Sequence, residues 1–244
     1  MLLKVSTVAL LVSSLFAAPP RSQLEKLPKS FPVGAQIADG SRVEWIAYTN
    51  VANPFGAYLA MNLDFNQALP TLLALNASKA PQPLRNRGES HITVIAPTEF
   101  NRVLKEFVTI EEINQIALDR DIQNADINPY CLARQSNIEK NAASPIVGQR
   151  SYVYNILVES KVLTSIRVAV RDLFVKKGGD PANFSPKDWY PHITLAFNEH
   201  GDWFNEDYVF KTSSTCVSRL RFVDNNQKVL AETAAVADSA EGIL

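Results

Sequence analysis

The chain is predicted to be an α+β protein of two pseudo-symmetric lobes, each an antiparallel sheet with helices on its outside, with a cleft between them. Three observations lead there. The tripeptide His-Ile-Thr occurs twice, at His91-Ile92-Thr93 and His192-Ile193-Thr194, once in each half. Each copy opens a run of apolar, strand-forming residues. Each half also offers one order of elements, strand, helix, then the His-Ile-Thr strand, so the chain reads as a diverged duplication without any shorter repeat.

The elements follow in order. Lys4 precedes an apolar run, Val5 to Phe16, then Ala17-Ala18 and Pro19-Pro20. That is the layout of a secretory signal peptide over residues 1–18, too short to span a bilayer. Residues 19–40, broken by Pro28, Pro32 and Gly34, read as an extended lead-in to a single domain over 41–236, and 237–244 as a frayed tail. Val43 to Val51 and Ala57 to Leu63 read as a hairpin around Asn53-Pro54-Phe55-Gly56. Phe65 to Asn76 has helical spacing. A polar loop, Leu84 to Glu89, delivers the chain to the first motif. Two short helices follow Pro97, the second opened by the capping box Thr109-Ile110-Glu111-Glu112 and ending near Arg120. Asn128 to Ile138 and Ser151 to Val158 read as strands, and Val162 to Val175 as an amphipathic helix with Leu163, Ile166, Val170 and Phe174 on one face. Ser214 to Val223 and Val229 to Ala235 close the chain as a hairpin.

Composition narrows the function. Without Lys4, 23 basic residues face 25 acidic ones, a net charge of −2. A protein that tracks long nucleic acid needs a basic surplus, so a small nucleotide or an oligonucleotide end is the more natural phosphate ligand. No later segment is apolar enough to cross a membrane, and a secreted, extracellular monomer is expected. Export makes the sequons at Asn76 and Asn183 candidates for glycosylation in a eukaryotic host. It also makes Cys131 and Cys216 a candidate disulfide, two buried thiols being the alternative. Cysteine and histidine spacings fit no metal site, and no cofactor is expected.

The two motifs carry the chemistry. Successive strand side chains alternate, so His91 and Thr93 share one face and Ile92 and Val94 the other; His192 and Thr194 likewise oppose Ile193, Leu195 and Phe197. The chain has three histidines. Two of them falling in His-apolar-Thr by accident is on the order of one in a thousand. Two imidazoles on opposite sides of a phosphate can act as base and acid in one step, while Thr93 and Thr194 hydroxyls hold the non-bridging oxygens. Tyr190, Tyr154 and Lys187 are candidate substrate contacts, with Trp189, Tyr152 and Arg150 near them, an aromatic to stack a base and a cation to meet a phosphate. His200 falls in a polar turn and is expected to be exposed.

These motifs resemble those of the 2H phosphoesterase superfamily, whose signature is two His-x-Thr/Ser-apolar motifs, one per half of a pseudo-symmetric fold. The matching residues are His91-Ile92-Thr93-Val94 and His192-Ile193-Thr194-Leu195, 192 − 91 = 101 residues apart. Pro191 before the second motif also fits the family pattern, whereas Glu89-Ser90 stands before the first. The resemblance implies a metal-independent hydrolase of 2′,3′-cyclic or related nucleotide and RNA-end phosphodiesters, in which substrate orientation decides which histidine is base and which acid. A secreted phosphate- or nucleotide-binding or effector protein on the same fold, without turnover, is the alternative; two intact motifs argue against it.

Overall fold

Helix formation follows local chemistry closely. In the computed structural model, which describes residues 27–50, 56–78, 84–138, 150–198 and 211–224, α1 (Phe65–Asn76) starts at Asp64, whose carboxylate accepts the Asn66 N–H, and it buries Ala68, Leu72 and Leu75. α2 (Pro97–Glu99) runs into a single π-turn over Phe100–Leu104. α3 (Ile110–Asp119) opens on the capping box: the Thr109 hydroxyl accepts the Glu112 N–H, and the Glu112 carboxylate accepts the Thr109 N–H. α4 (Lys161–Lys176) is capped by Ser160 and buries Leu163, Ile166, Val170 and Phe174. It stops where Gly178 takes φ +99° and the Gly179 N–H folds back onto the Phe174 carbonyl.

Among the described residues eight strands form the sheet: β1 (Ser30–Gly34), β2 (Leu59–Leu63), β3 (Leu84–Arg85), β4 (Ser90–Ile95), β5 (Asn128–Ile138), β6 (Arg150–Glu159), β7 (His192–Asn198) and β8 (Cys216–Val223). Their order is β1-β8-β5-β6-β7-β4-β2, with β3 also beside β7. Every pair is antiparallel except β1 with β8. The expectation of two separate sheets is corrected: the two motif strands lie side by side and join their neighbours into one sheet. The join is narrow, since β4 and β7 pair only at Ile92↔Ile193, after which each follows its own partner.

One apolar core fills the face covered by helices, taking Phe31 and Val33 from β1, Met61 from β2, Ile92 and Val94 from β4, Ile156 from β6 and Ile193 from β7. Two further expectations change here. The lead-in contains β1, whose Phe31 and Val33 are fully buried. Pro32 masks it in the sequence but is tolerated at an edge strand, which needs a partner on one side only. Val43 to Thr49 form no strand beyond one bridge, Tyr48↔Tyr58. Side chains take the place of ladder partners there: Gln123 Nε2 donates to the carbonyls of Gly40, Val43 and Asn62, and the Trp45 indole donates to Ala60 O at 3.2 Å. The leader, the tail, the Val229 to Ala235 strand and His200 lie outside the described residues.

Candidate active site

Alternation along β4 puts Ile92 and Val94 in the core and leaves His91 and Thr93 half-buried on the other face; β7 does the same with Ile193 against His192 and Thr194. Because Ile92 pairs with Ile193 in antiparallel register, one step either way sets His91 across from Thr194 and Thr93 across from His192. Each imidazole thus faces the other motif's hydroxyl, and all four side chains share one surface.

The strands then slip. Ala60 pairs with Thr93 but Leu59 with Ile95, so Val94 is an extra residue; Asn155 pairs with Thr194 but Tyr154 with Ala196, so Leu195 is another. Both are bulges immediately after a motif threonine. The second one turns Ala196 into the core and brings Phe197 to the side of Thr194, where it lines a shallow pocket with His91 and with Asn86, Arg87 and Glu89 of the preceding loop. Simple alternation had put Phe197 with Ile193.

The imidazoles differ in their surroundings. His192 Nδ1 lies 2.7 Å from the Tyr190 carbonyl. A carbonyl only accepts, so Nδ1 carries the proton and Nε2 holds the free lone pair of the neutral ring. His91 Nδ1 lies 3.6 Å from the Glu89 carboxylate and has no hydrogen-bond partner among the described residues. Its ring is tilted against Tyr58 at 6.2 Å, and Tyr58 stacks on Tyr48 at 4.2 Å. Burial holds the His91 pKa below the ordinary 6.5, against the pull of Glu89 and with a lesser push from Arg87. Burial drives His192 well below 6.5, helped by Lys211 and by the nearby His91 and opposed by the Tyr190 carbonyl. The ligand-free pair is therefore neutral at pH 7.

The other predicted residues are scattered. Tyr190 is half-buried and supplies its carbonyl to His192. Tyr154 points into the core with no exposed surface, on the Ile156 side of β6, which withdraws it as a ligand contact. Lys187 is exposed in the loop before β7, and Tyr152 lies under the Arg134 guanidinium at 5.4 Å. Arg150 begins β6. Asn76 and Asn183 are both exposed. Cys131 and Cys216 form a disulfide between β5 and β8, with Cα atoms 5.8 Å apart. Sequence reasoning missed Arg87, Lys211, Tyr58 and, above all, Arg167. Among the described residues no cluster of three or more His, Cys, Asp or Glu could hold a metal ion, and no helix is long and apolar enough to cross a membrane.

Two His-x-Thr strands joined at one residue pair agree with a family comparison: the 2H-SAK profile, described as "Swiss Army Knife, 2H phosphoesterase domain", matches residues 57–203. The chain belongs to the 2H phosphoesterases. The matched span holds β2 to β7, and with them both motifs and all of α4. Membership of the 2H phosphoesterases implies a phosphodiester hydrolase. Comparison with curated proteins and with solved structures gives no significant match.

Proposed function

We propose that this 2H phosphoesterase is a secreted, metal-independent hydrolase of 2′,3′-cyclic or related nucleotide and RNA-end phosphodiesters. His91 and His192 serve as the acid–base pair, and Thr93 and Thr194 hold the phosphate. The observation that carries this reading is the Ile92↔Ile193 pair, since it sets both imidazoles and both hydroxyls on one surface.

A phosphodiester anion seated there supplies the negative charge that both rings lack. It favours protonation of one imidazole and so prepares the acid, while the other stays neutral as the base. The base takes a proton from water as the water oxygen bonds to phosphorus. The acid gives its proton to the departing ribose oxygen as the P–O bond breaks, and a phosphomonoester remains. The threonine hydroxyls donate to the non-bridging oxygens throughout. Arg87 and Lys211, near His91 and His192 respectively, suit an anionic ligand without the basic surplus that long RNA requires.

The matched bulges after Thr93 and Thr194 support descent of the halves from one duplicated strand–helix–strand unit. The apolar leader and the paired cysteines support export.

The test is turnover of 2′,3′-cyclic nucleotides, oligonucleotide ends and ADP-ribose cyclic phosphate. Wild type should turn over at least one of them along a bell-shaped pH–rate curve. His91→Ala and His192→Ala should each lower kcat by about 10²- to 10⁴-fold. Binding without turnover, or a monotonic pH curve, refutes the acid–base pair.

A further inference from the structure

Arg167 stands in the middle of the apolar stripe of α4, one turn from Leu163 and from Val170, and is fully buried. A guanidinium in that position needs acceptors around its whole edge. It has them. Nη1 donates to the Val94 carbonyl at 2.7 Å and to Glu99 Oε2 at 2.9 Å; Nη2 donates to Glu99 Oε1 at 2.7 Å and to the Ser185 carbonyl at 3.0 Å; Nε donates to the Pro186 carbonyl at 3.3 Å. Its Cζ lies 4.8 Å from the centroid of the Phe184 ring and 5.4 Å from that of Trp189.

Each of these contacts leads to one of the motifs. Val94 is the extra residue after Thr93, and a bulge leaves a backbone group off the ladder; Arg167 takes that carbonyl. Glu99 also accepts the Ala96 N–H at 2.9 Å, fixing the exit of β4. On the other side, Ser185 and Pro186 belong to the loop that brings the chain to His192. In that loop the Trp189 indole donates to the Thr93 carbonyl at 3.0 Å, and the next residue, Tyr190, accepts the His192 Nδ1–H. Arg167, through the Val94 carbonyl, and Trp189, through the Thr93 carbonyl, therefore tie the end of the first motif to the loop whose Tyr190 carbonyl sets the tautomer of the second histidine.

We infer that Arg167 and Trp189 are positioning residues, which fix the distance and ring orientation of His192 relative to Thr93 by clamping the 184–190 loop onto the bulge after Thr93. This deepens the acid–base reading and rests on it. Neither side chain need touch substrate. Displacement of a reacting group by about 1 Å is enough to cost on the order of 10²-fold in rate, so the clamp acts on kcat and not on affinity.

Trp189→Phe keeps an aromatic ring beside the guanidinium and removes the indole N–H together with one ring of the indole. Arg167→Lys keeps the charge but loses the planar fork. Both are compared with wild type for kcat and KM on the best substrate of the panel, and for the NMR titration of His192, resolvable in a chain with three histidines. Folding is checked by circular dichroism. The expected result for W189F is a native spectrum, kcat lower by about 10- to 100-fold, KM within about twofold of wild type, and a His192 titration moved to more acidic pH as the Tyr190 carbonyl loosens. R167K should show the same pattern more strongly. A folded W189F or R167K with wild-type kcat and an unmoved titration overturns the inference, as does a lower melting temperature alone. If wild type itself turns over nothing, the catalytic reading fails, and the titration of the two variants still decides whether the clamp orients His192.

Discussion

Acid should unfold this protein through its own candidate active site, and the size of the effect follows from burial. Both motif histidines are held below 6.5 in the folded chain, His192 much further than His91, with burial as the main cause. An unfolded histidine takes up a proton as the pH drops through about 6.5, whereas the folded pair resists. Unfolding then binds protons, so stability is fully present above 6.5 and is lost as the pH falls below it. A ring that stays neutral in the fold down to pH 5.5 costs about 1.4 kcal/mol by that pH, the ceiling for His192, and His91, which is lowered less, adds a smaller share. That is a sizeable part of the 5–15 kcal/mol typical of a domain. Urea unfolding at fixed ionic strength between pH 7.5 and 5.5 measures it. His192→Asn, whose short amide can keep the bond to the Tyr190 carbonyl, should remove the larger share of the slope, about 1.4 kcal/mol over the interval. Parallel stability curves for H192N and wild type would refute the assignment of the slope to a buried neutral imidazole.

Two further outcomes test the frame around the site. The Thr71 hydroxyl is fully buried and donates to the Pro32 carbonyl at 2.6 Å, so Thr71→Val should leave that carbonyl unsatisfied and cost about 1–3 kcal/mol in urea titration. Cys131 and Cys216 close a separation of 85 residues; the double Cys→Ser variant should lose roughly 2–4 kcal/mol, and a reducing agent should lower the melting temperature of wild type but not of the variant.

What the sequence disclosed was whatever depends on neighbours in the chain. The Thr109 box, the Leu163, Ile166, Val170 and Phe174 stripe and the facing of His91 and Thr93 are local patterns, and each reads straight into a cap, a helix face or a strand face. Features set by distant partners stayed hidden. Pro32 disguised β1 because a proline is excluded from a central strand but not from an edge, and edge status is a property of the sheet. Phe197 was misplaced because a single extra residue at Leu195 reverses the alternation beyond it, and Tyr154 because it shares the Ile156 face of β6, which only the sheet's packing identifies as the core side. Val43 to Thr49 alternate like a strand, yet the Val43 carbonyl is taken by Gln123, a side chain that no local pattern ties to them. Arg167 did leave a mark, a cation in phase with an apolar stripe, which is a buried charge in need of partners.

The parallel contact of β1 with β8 joins segments almost the whole described length apart, and Ser218 Oγ donates to the Pro28 carbonyl across the same join. Phe31 and Val33 therefore have no sheet to enter until residues 216–223 have left the ribosome. β1, the first strand among the described residues, is among the last to find its place, and a chain arrested before Cys216 would leave that apolar pair without its sheet, a ready target for chaperones and proteases.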